Sequence, residues 1–204
     1  MAAAQPNDEI QKLEKKIYDL VQQLGALRKD VQPSPVKNYQ LQDLGGPVDL
    51  LTLFGDKKIL FAIHNMGQGC RYCTLWADGL NGFLPHLESE FAVALFSKDS
   101  PEEQRKMALS RQWHFRMVSH GGGEYIQEQT VMPGQDNMPG IVCYQREADD
   151  IFRKNASIFG PGDMFCPQWH ILSLAGVSTD DWTAQYSYWR RPQNMDDGGE
   201  NLID

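Results

Sequence analysis

The sequence predicts an α/β fold in which a mixed β-sheet is flanked by helices and preceded by an amphipathic helix. Three observations lead to this prediction. Short apolar runs alternate with helix-start signals along the middle of the chain, and a Cys-x-x-Cys pair lies between one such run and the next helix. The last two apolar runs are separated by only a few polar residues. The alternation predicts a parallel start of the sheet, and the closely spaced runs predict an antiparallel hairpin that completes it.

The first element is predicted to be a long helix that Asn7 caps and that ends before Pro33. Its apolar side chains recur at alternating spacings of three and four: Ile10, Leu13, Ile17, Leu20, Leu24, Leu27 and Val31. This heptad seam, with β-branched residues at three of its four a positions and leucine at d, favours a pair of helices. We therefore expect a homodimer, antiparallel or swapped because Glu9 would face Glu14 in a parallel pair. A helix that folds back onto its own domain is the alternative.

The remaining elements follow from apolar runs and from capping residues. Ser100 with Pro101 and Glu103 is a strong helix start, because it combines a cap, a first-turn proline and a capping box. A second helix should begin at Cys70, and Pro85 should end or kink it. The predicted strands cover residues 58–64, 91–96, 115–119, 140–144 and 151–156, and the later helices cover 101–112 and 167–174.

Composition predicts three segments: the helix and a linker (1–35), the α/β domain (36–191) and an acidic, disordered tail (192–204). The net charge of −8, without basic blocks, would repel phosphate backbones and anionic lipids, so neither nucleic acid nor a membrane is an expected partner. No export signal is visible, and the longest apolar runs fall far short of the roughly 20 residues that span a bilayer. We therefore expect a soluble, cytoplasmic protein.

The candidate chemistry lies in Cys70-Arg71-Tyr72-Cys73, at the junction of a predicted strand and a predicted helix. Unpaired amide groups and the helix dipole stabilise a thiolate in a first turn, so the pKa of Cys70 is expected to fall below the usual value of about 8.5. Arg71 adds a positive charge nearby. Cys73 lies on the same helical face and is placed to resolve a mixed disulfide at Cys70. A chance or purely structural Cys-x-x-Cys is the alternative.

A proline before the predicted hairpin supports this interpretation. Met138-Pro139-Gly140 directly precedes the strand at 140–144. In thioredoxin-like folds a cis-proline at this position lies against the dithiol, and the cis form costs an X-Pro bond only about 0.5–1 kcal/mol. We expect a cis Met138–Pro139 bond in contact with the dithiol, and we expect Arg71, Tyr72, Met138 and Pro139 to contact the substrate. An ordinary trans proline at a strand start is the alternative.

The motif Gly69-Cys70-x-x-Cys73-x-x-Trp76-Ala77-Asp78-Gly79, followed by Leu80-Asn81-Gly82 and by Pro85-His86-Leu87, resembles a known family. The family is bacterial and thioredoxin-like and is known as domain of unknown function 899. The resemblance covers about residues 10 to 157. It implies a thioredoxin-like fold of the peroxiredoxin branch, with Cys70 and Cys73 as the two cysteines of the family, but it brings no settled substrate.

Within that fold, reduction of a disulfide fits this chain better than peroxidase chemistry. Peroxiredoxins carry a threonine three residues before the attacking cysteine, and here Gly67 stands at that position. Tyr72 resembles the glutaredoxin motif, although Arg71 replaces its proline. We therefore expect a thiol-disulfide oxidoreductase whose partner is a protein or small-molecule disulfide or thiol.

A binding module without turnover is the second hypothesis. Cys166 and His170 form a C-x3-H pair that, with the dithiol, would supply a zinc or copper(I) ligand set. No phosphate loop, dinucleotide fingerprint or serine triad is present, so no resident cofactor is expected.

Overall fold

A computed structural model of the protein describes residues 6–185, without the side chain of Pro6. The chain divides into two compact units, Met1–Pro33 and Ser34–Asp204. The acidic tail predicted at 192–204 lies outside the described residues, and the three-segment division stays a prediction. Among the described helices, none is both long enough and apolar enough to cross a membrane.

The first unit contains helix α1 (Pro6–Asp30), which confirms the predicted amphipathic helix. The described helix starts at Pro6, two residues before the start that a cap at Asn7 would give. Asn7 therefore lies inside the helix and does not cap it. Acidic residues occupy its first turn and basic residues its last turn, which complements the helix dipole.

The second unit is an α/β domain whose described part contains one mixed sheet, four helices and a 3-10 turn at Leu51–Phe54. The strands are β1 (Ser34–Val36), β2 (Gln40–Asp43), β3 (Gly46–Asp49), β4 (Ile59–His64), β5 (Ala92–Ser97), β6 (Arg116–Ser119), β7 (Gly140–Glu147) and β8 (Asp150–Ile158). The helices are α2 (Arg71–Glu88), α3 (Pro101–Arg111), α4 (Glu124–Glu128) and α5 (Pro167–Leu174).

The sheet order is β1-β8-β7-β4-β5-β6-β2-β3. Strands β4, β5 and β6 are parallel, and β7 and β8 form an antiparallel hairpin that pairs with β4. The predicted parallel start and closing hairpin are therefore confirmed. Strand β4 lies between β5 and β7, buried on both sides by its neighbours. Its carboxyl end, at His64, leads directly into the dithiol loop.

Three local features differ from the sequence-based expectation. Strand β1 pairs with β8 although it falls in the predicted linker, and the short helix α4 follows the glycine-rich loop. Helix α2 continues through Pro85 to Glu88, so it does not end at this proline, and the alternative expectation of a kink stays a prediction. A proline inside a helix removes one backbone hydrogen bond. Burial of Leu84 (1% exposed) against the sheet offsets that loss.

Two apolar clusters cover the two faces of the sheet. Helix α2 buries Trp76 and Leu80 against Ile63 and Leu95, together with aromatic residues that follow β8. On the other face, Phe96 and Tyr125 belong to a separate cluster that the β2–β3 hairpin completes. The side chains of β4 alternate between the two clusters, which is the period of a strand buried on both faces.

Asp78 of the Trp-Ala-Asp-Gly motif joins α2 to the end of α3. Its carboxylate accepts hydrogen bonds from Arg111 Nε (3.0 Å) and from Trp113 Nε1 (2.8 Å), and it forms an ion pair with Arg111 Nη2. The Arg111 and Asp78 side chains are 23% and 33% exposed, so this bidentate pair is partly screened from water. The contact holds the helix that carries the dithiol against its neighbour.

Asn81, one turn further along α2, fixes the connection between α3 and β6. Its Nδ2 donates to Gln112 O (3.2 Å), and its Oδ1 accepts from His114 N (2.8 Å). Gln112 has a left-handed backbone (φ 57°), which ends α3 and exposes these backbone groups. The side chains of Asp78 and Asn81 in the family-like motif are therefore bound to the fold.

We expect Asp78→Ala to lower the free energy of unfolding by about 2 kcal/mol, because a charge-assisted, partly buried set of hydrogen bonds is lost. Chemical denaturation monitored by tryptophan fluorescence measures the change. Asp56→Ala, at an exposed turn position, is the matched control and should stay within about 0.5 kcal/mol of the wild type. Equal stabilities for the two variants would contradict this role of Asp78.

Candidate functional site

Cys70 occupies the N-cap position of α2, immediately after the loop that leaves β4. Its backbone is extended (φ −101°, ψ 105°), and its sulfur accepts a hydrogen bond from the backbone N–H of Cys73 (3.1 Å). The first amides of a helix have no partner within the helix. The Cys70 sulfur therefore serves as the cap, and the same amide and the helix dipole favour the thiolate over the thiol.

Cys73 has a different environment, although it is only one turn away. Its sulfur accepts a hydrogen bond from Met66 N (3.4 Å), and Asn65 Nδ2 donates to its carbonyl oxygen (3.4 Å). Burial raises the pKa of the Cys73 thiol well above its usual value, and the side-chain hydrogen bond to Cys70 raises it further. The two thiols therefore differ in acidity. Cys73 retains its proton, whereas the sulfur of Cys70 accepts hydrogen bonds.

Both cysteine residues are buried. Cys70 is 7% exposed and Cys73 is 2% exposed. Arg71 between them is also buried, whereas Tyr72 is half-buried and lies against Trp76 and Trp169, with ring centroids 6.2 Å away in both cases. Of these two predicted substrate contacts, only Tyr72 presents appreciable side-chain surface. The substrate-binding role stays a prediction for both.

The Met138–Pro139 bond is trans, so the predicted cis bond is wrong. Two features of the backbone explain why a cis bond is not needed. Asn137 adopts a left-handed conformation (φ 53°), which turns the chain just before Met138. The carbonyl of Pro139 then accepts a hydrogen bond from Phe159 N (2.9 Å), which extends the ladder between β7 and β8 with the proline in an ordinary strand-start position.

The segment that contains Pro139 nevertheless lies at the same end of the sheet as the dithiol loop. Gly140 pairs with His64 in the register of β7 and β4, and Asn137 Nδ2 donates to the carbonyl of Met66 (3.4 Å). Pro139 is buried and Met138 is half-buried. The segment and the dithiol loop therefore lie at the same end of the sheet, and the expected contact between Pro139 and the dithiol stays a prediction.

Asp99, which sequence reasoning did not select, fixes the loop before the dithiol. Its Oδ2 accepts a hydrogen bond from Gln68 N (2.7 Å), and burial raises the pKa of its carboxyl group. Gly67 has a φ of +117°, and a Cβ built there would lie 2.8 Å from Asp99 Oδ1. The carboxylate therefore occupies the space where a side chain at position 67 would begin. The only signal in the sequence is its position between β5 and the capping box of α3.

His64 lies on the sheet face opposite to α2, within the cluster that contains Tyr125. Its Nε2 forms a hydrogen bond with Tyr125 Oη (2.8 Å), which is bonded in turn to Tyr144 Oη (3.2 Å). Burial lowers the pKa of His64 to about 3, so the imidazole is neutral at physiological pH. His64 is therefore a hydrogen-bonded structural residue.

The predicted metal ligands do not come together. Cys166 occupies the N-cap position of α5, without a capping hydrogen bond from its side chain, and is buried, whereas His170 is exposed. Within residues 6–185, no group of three or more His, Cys, Asp or Glu side chains is arranged to hold a metal ion. The zinc or copper(I) site suggested by the C-x3-H pair is therefore not supported.

A family model described as "Bacterial protein of unknown function (DUF899)" matches residues 4–195, which is nearly the whole chain. The resemblance to this family is therefore confirmed, and it extends beyond the residues that suggested it. No curated protein matches.

Solved structures place the fold among thioredoxin-like proteins. The yeast mitochondrial 1-Cys peroxiredoxin is similar with a TM-score of 0.51 at 9% identity, over 71% of this chain and 78% of that one. A peroxidoxin, BcpB, from Mycobacterium tuberculosis gives 0.43 at 16% identity, over 61% and 86% of the two chains. A secreted disulfide oxidoreductase from M. tuberculosis gives 0.45 at 17% identity, over 62% and 87%. The predicted thioredoxin-like fold is confirmed.

The buried His64 predicts a specific dependence of stability on pH. Its pKa is lower in the folded protein (about 3) than in the unfolded chain (about 6.5), so the unfolded chain binds more protons as the pH falls below 6.5. His64 thus lowers stability progressively over that window. In His64→Gln, which keeps a hydrogen-bonding side chain, the loss of unfolding free energy between pH 6.5 and 5 should shrink by about 1.5 kcal/mol. Denaturation at several pH values measures it, and an unchanged loss would contradict this assignment.

Gly67→Ala should lower the free energy of unfolding by about 1–3 kcal/mol, because alanine is strained at this φ and its Cβ meets the Asp99 carboxylate. Gly82→Ala is the matched control. No atom lies within 4 Å of a Cβ at that helical position, so the control should gain about 0.5–1 kcal/mol. Changes of the same sign in both variants would contradict the proposed packing of Gly67 on Asp99.

Proposed function

The chain belongs to the family described as bacterial proteins of unknown function (DUF899), and on that premise we propose that it is a thiol-disulfide oxidoreductase that acts through Cys70 and Cys73. The observation that carries the proposal is the inequality of the two thiols. The Cys70 sulfur accepts a hydrogen bond from the Cys73 amide in the first turn of α2 (3.1 Å), whereas burial raises the pKa of Cys73 and keeps it protonated. The general thioredoxin-like fold is compatible with such chemistry but does not specify it.

The proposed reaction begins with attack of the Cys70 thiolate on one sulfur of a substrate disulfide. The substrate S–S bond breaks, one substrate sulfur leaves as a thiolate, and a mixed disulfide forms at Cys70. Cys73 then loses its proton, and its thiolate attacks the Cys70 sulfur and releases the second substrate thiolate. The substrate gains two electrons and two protons in total, and the protein retains a Cys70–Cys73 disulfide that a thiol reductant must reopen.

Substrate contact is proposed for residues of the Cys-x-x-Cys motif and of the segment that precedes β7. Tyr72 and Met138 are half-buried and therefore have surface to offer, whereas Arg71 and Pro139 are buried. We propose that the first two contact the substrate directly and that the other two shape the site from beneath. Tyr72 lies against Trp76 and Trp169, so we propose that it contacts apolar groups beside the disulfide of a protein or small-molecule substrate.

Peroxidase chemistry is a weaker candidate. Gly67 stands three residues before Cys70, and its space toward α3 is occupied by the Asp99 carboxylate. This carboxylate accepts a hydrogen bond from the Gln68 amide and supplies no hydrogen-bond donor of the kind that a threonine hydroxyl at position 67 would offer. A thioredoxin-fold binding module without turnover is the second candidate, and the low exposure of the two cysteine residues (7% and 2%) favours it.

Alkylation with iodoacetamide separates these functions. We expect Cys70 to react at a lower pH than Cys73, because only the thiolate reacts and burial raises the pKa of Cys73. Peptide mass mapping of quenched samples assigns the label to each cysteine. Equal reactivity of Cys70 and Cys73 at every pH would contradict the assignment of an attacking and a resolving thiol.

Trapping of mixed disulfides tests turnover itself. Cys73→Ser should accumulate a disulfide between Cys70 and a small disulfide such as oxidised glutathione, because the second attack is removed. Cys70→Ser should accumulate little, and Cys143→Ser, at a half-buried strand position, is the matched control that should behave as the wild type. A Cys73→Ser protein that forms no adduct would support the binding module.

A further inference from the structure

Helix α1 carries an apolar seam that is open to solvent. Among the described residues of the first unit, six of the seven seam positions are 40–68% exposed, and Leu24 is intermediate. The six are Ile10, Leu13, Ile17, Leu20, Leu27 and Val31. A contiguous row of large apolar side chains at this exposure is typical of an interaction surface.

The apolar seam of α1 requires a packing partner if the helix is to be stable. A helix of 25 residues is about 37 Å long, but most helical stability in proteins comes from packing of the apolar face rather than from intrinsic propensity. Gly25 further weakens the helix in its second half. The seam follows a heptad pattern, and such a pattern is met by knobs-into-holes packing against another helix.

A second copy of the same helix complements this seam. Under a two-fold axis perpendicular to α1, Ile10 would lie opposite Leu27 of the partner subunit, and Ile17 opposite Leu20 of the partner subunit. Each isoleucine then faces a leucine, Leu13 faces Leu24, and the same surface is buried on both subunits, as an isologous interface requires.

The charges at the two ends of α1 select the antiparallel arrangement. The first turn carries Asp8 and Glu9, and the last turn carries Arg28 and Lys29. In an antiparallel pair the acidic end of one helix lies beside the basic end of the other, and the helix dipoles are also opposed. A parallel pair would bring like charges together at both ends, which is unfavourable.

We propose that the protein is a homodimer joined by an antiparallel pair of α1 helices, with the seam from Ile10 to Val31 as the interface. The proposal is independent of the dithiol chemistry. It commits to a second copy of this chain, because the seam and the end charges are self-complementary under one symmetry operation.

The first experiment measures the mass of the full-length chain at tens of micromolar by sedimentation equilibrium. A dimer is expected for the wild type. Leu20→Asp places a charge at the centre of the seam and should raise the dimer dissociation constant at least about tenfold. Gln22→Asp places the same charge on the opposite side of α1, where the side chain is exposed, and should leave the dimer intact. A monomeric wild type, or equal effects of the two variants, would overturn the proposal.

The second experiment tests the orientation by charge reversal. Asp8→Lys with Glu9→Lys should weaken the dimer, and so should Arg28→Glu with Lys29→Glu, because each pair of changes makes the facing ends alike. All four changes together restore opposite charges and should recover most of the dimer, although they oppose the helix dipole. In a parallel pair each end faces its own copy, so the two-residue variants would associate as the wild type does. That result would overturn the antiparallel arrangement.

Discussion

The start of α2 depends on a hydrogen bond from the backbone amide of Cys73 to the sulfur of Cys70 (3.1 Å). Every helix begins with amides that have no partner in the helix, and here a thiol takes the place that serine or aspartate usually fills. Because the cap is a sulfur atom, the interaction that starts the helix is also the interaction that favours a thiolate. Helix formation and thiol reactivity therefore share one contact.

The rest of the fold holds that contact in place from several sides. Strand β4 places the dithiol loop at the carboxyl end of the parallel strands. Asp99 holds this loop by accepting a hydrogen bond from the backbone amide of Gln68. Asp78 ties α2 to α3 through Arg111. Asp99 and Asp78 position the dithiol loop and α2, and none of their hydrogen bonds described above is made to a sulfur atom. Asp78 and Asn81 of the motif therefore stabilise the fold around α2.

Much of this arrangement could be predicted from the sequence, because it depends on strong local patterns. The apolar run before the dithiol and the capping box at Ser100 each indicate one structure, and both are confirmed. Other features depend on tertiary contacts that local patterns do not encode. Strand β1 is three residues long and exists because β8 offers an edge. The trans bond at Pro139 depends on the turn at Asn137. Asp99 can pack against the dithiol loop because Gly67 has no side chain.

The central claim is that Cys70 and Cys73 form one reversible disulfide, and a redox titration tests it most directly. The full-length protein is equilibrated in buffers of graded glutathione potential, quenched with acid, alkylated and analysed by intact mass and peptide mapping. The account predicts a single two-electron transition, with about 30 mV per tenfold change in the ratio of oxidised to reduced protein. The mapped product should be a disulfide between Cys70 and Cys73. Two thiols that stay reduced in the most oxidising buffer, or a disulfide that involves Cys143 or Cys166 instead, would contradict it.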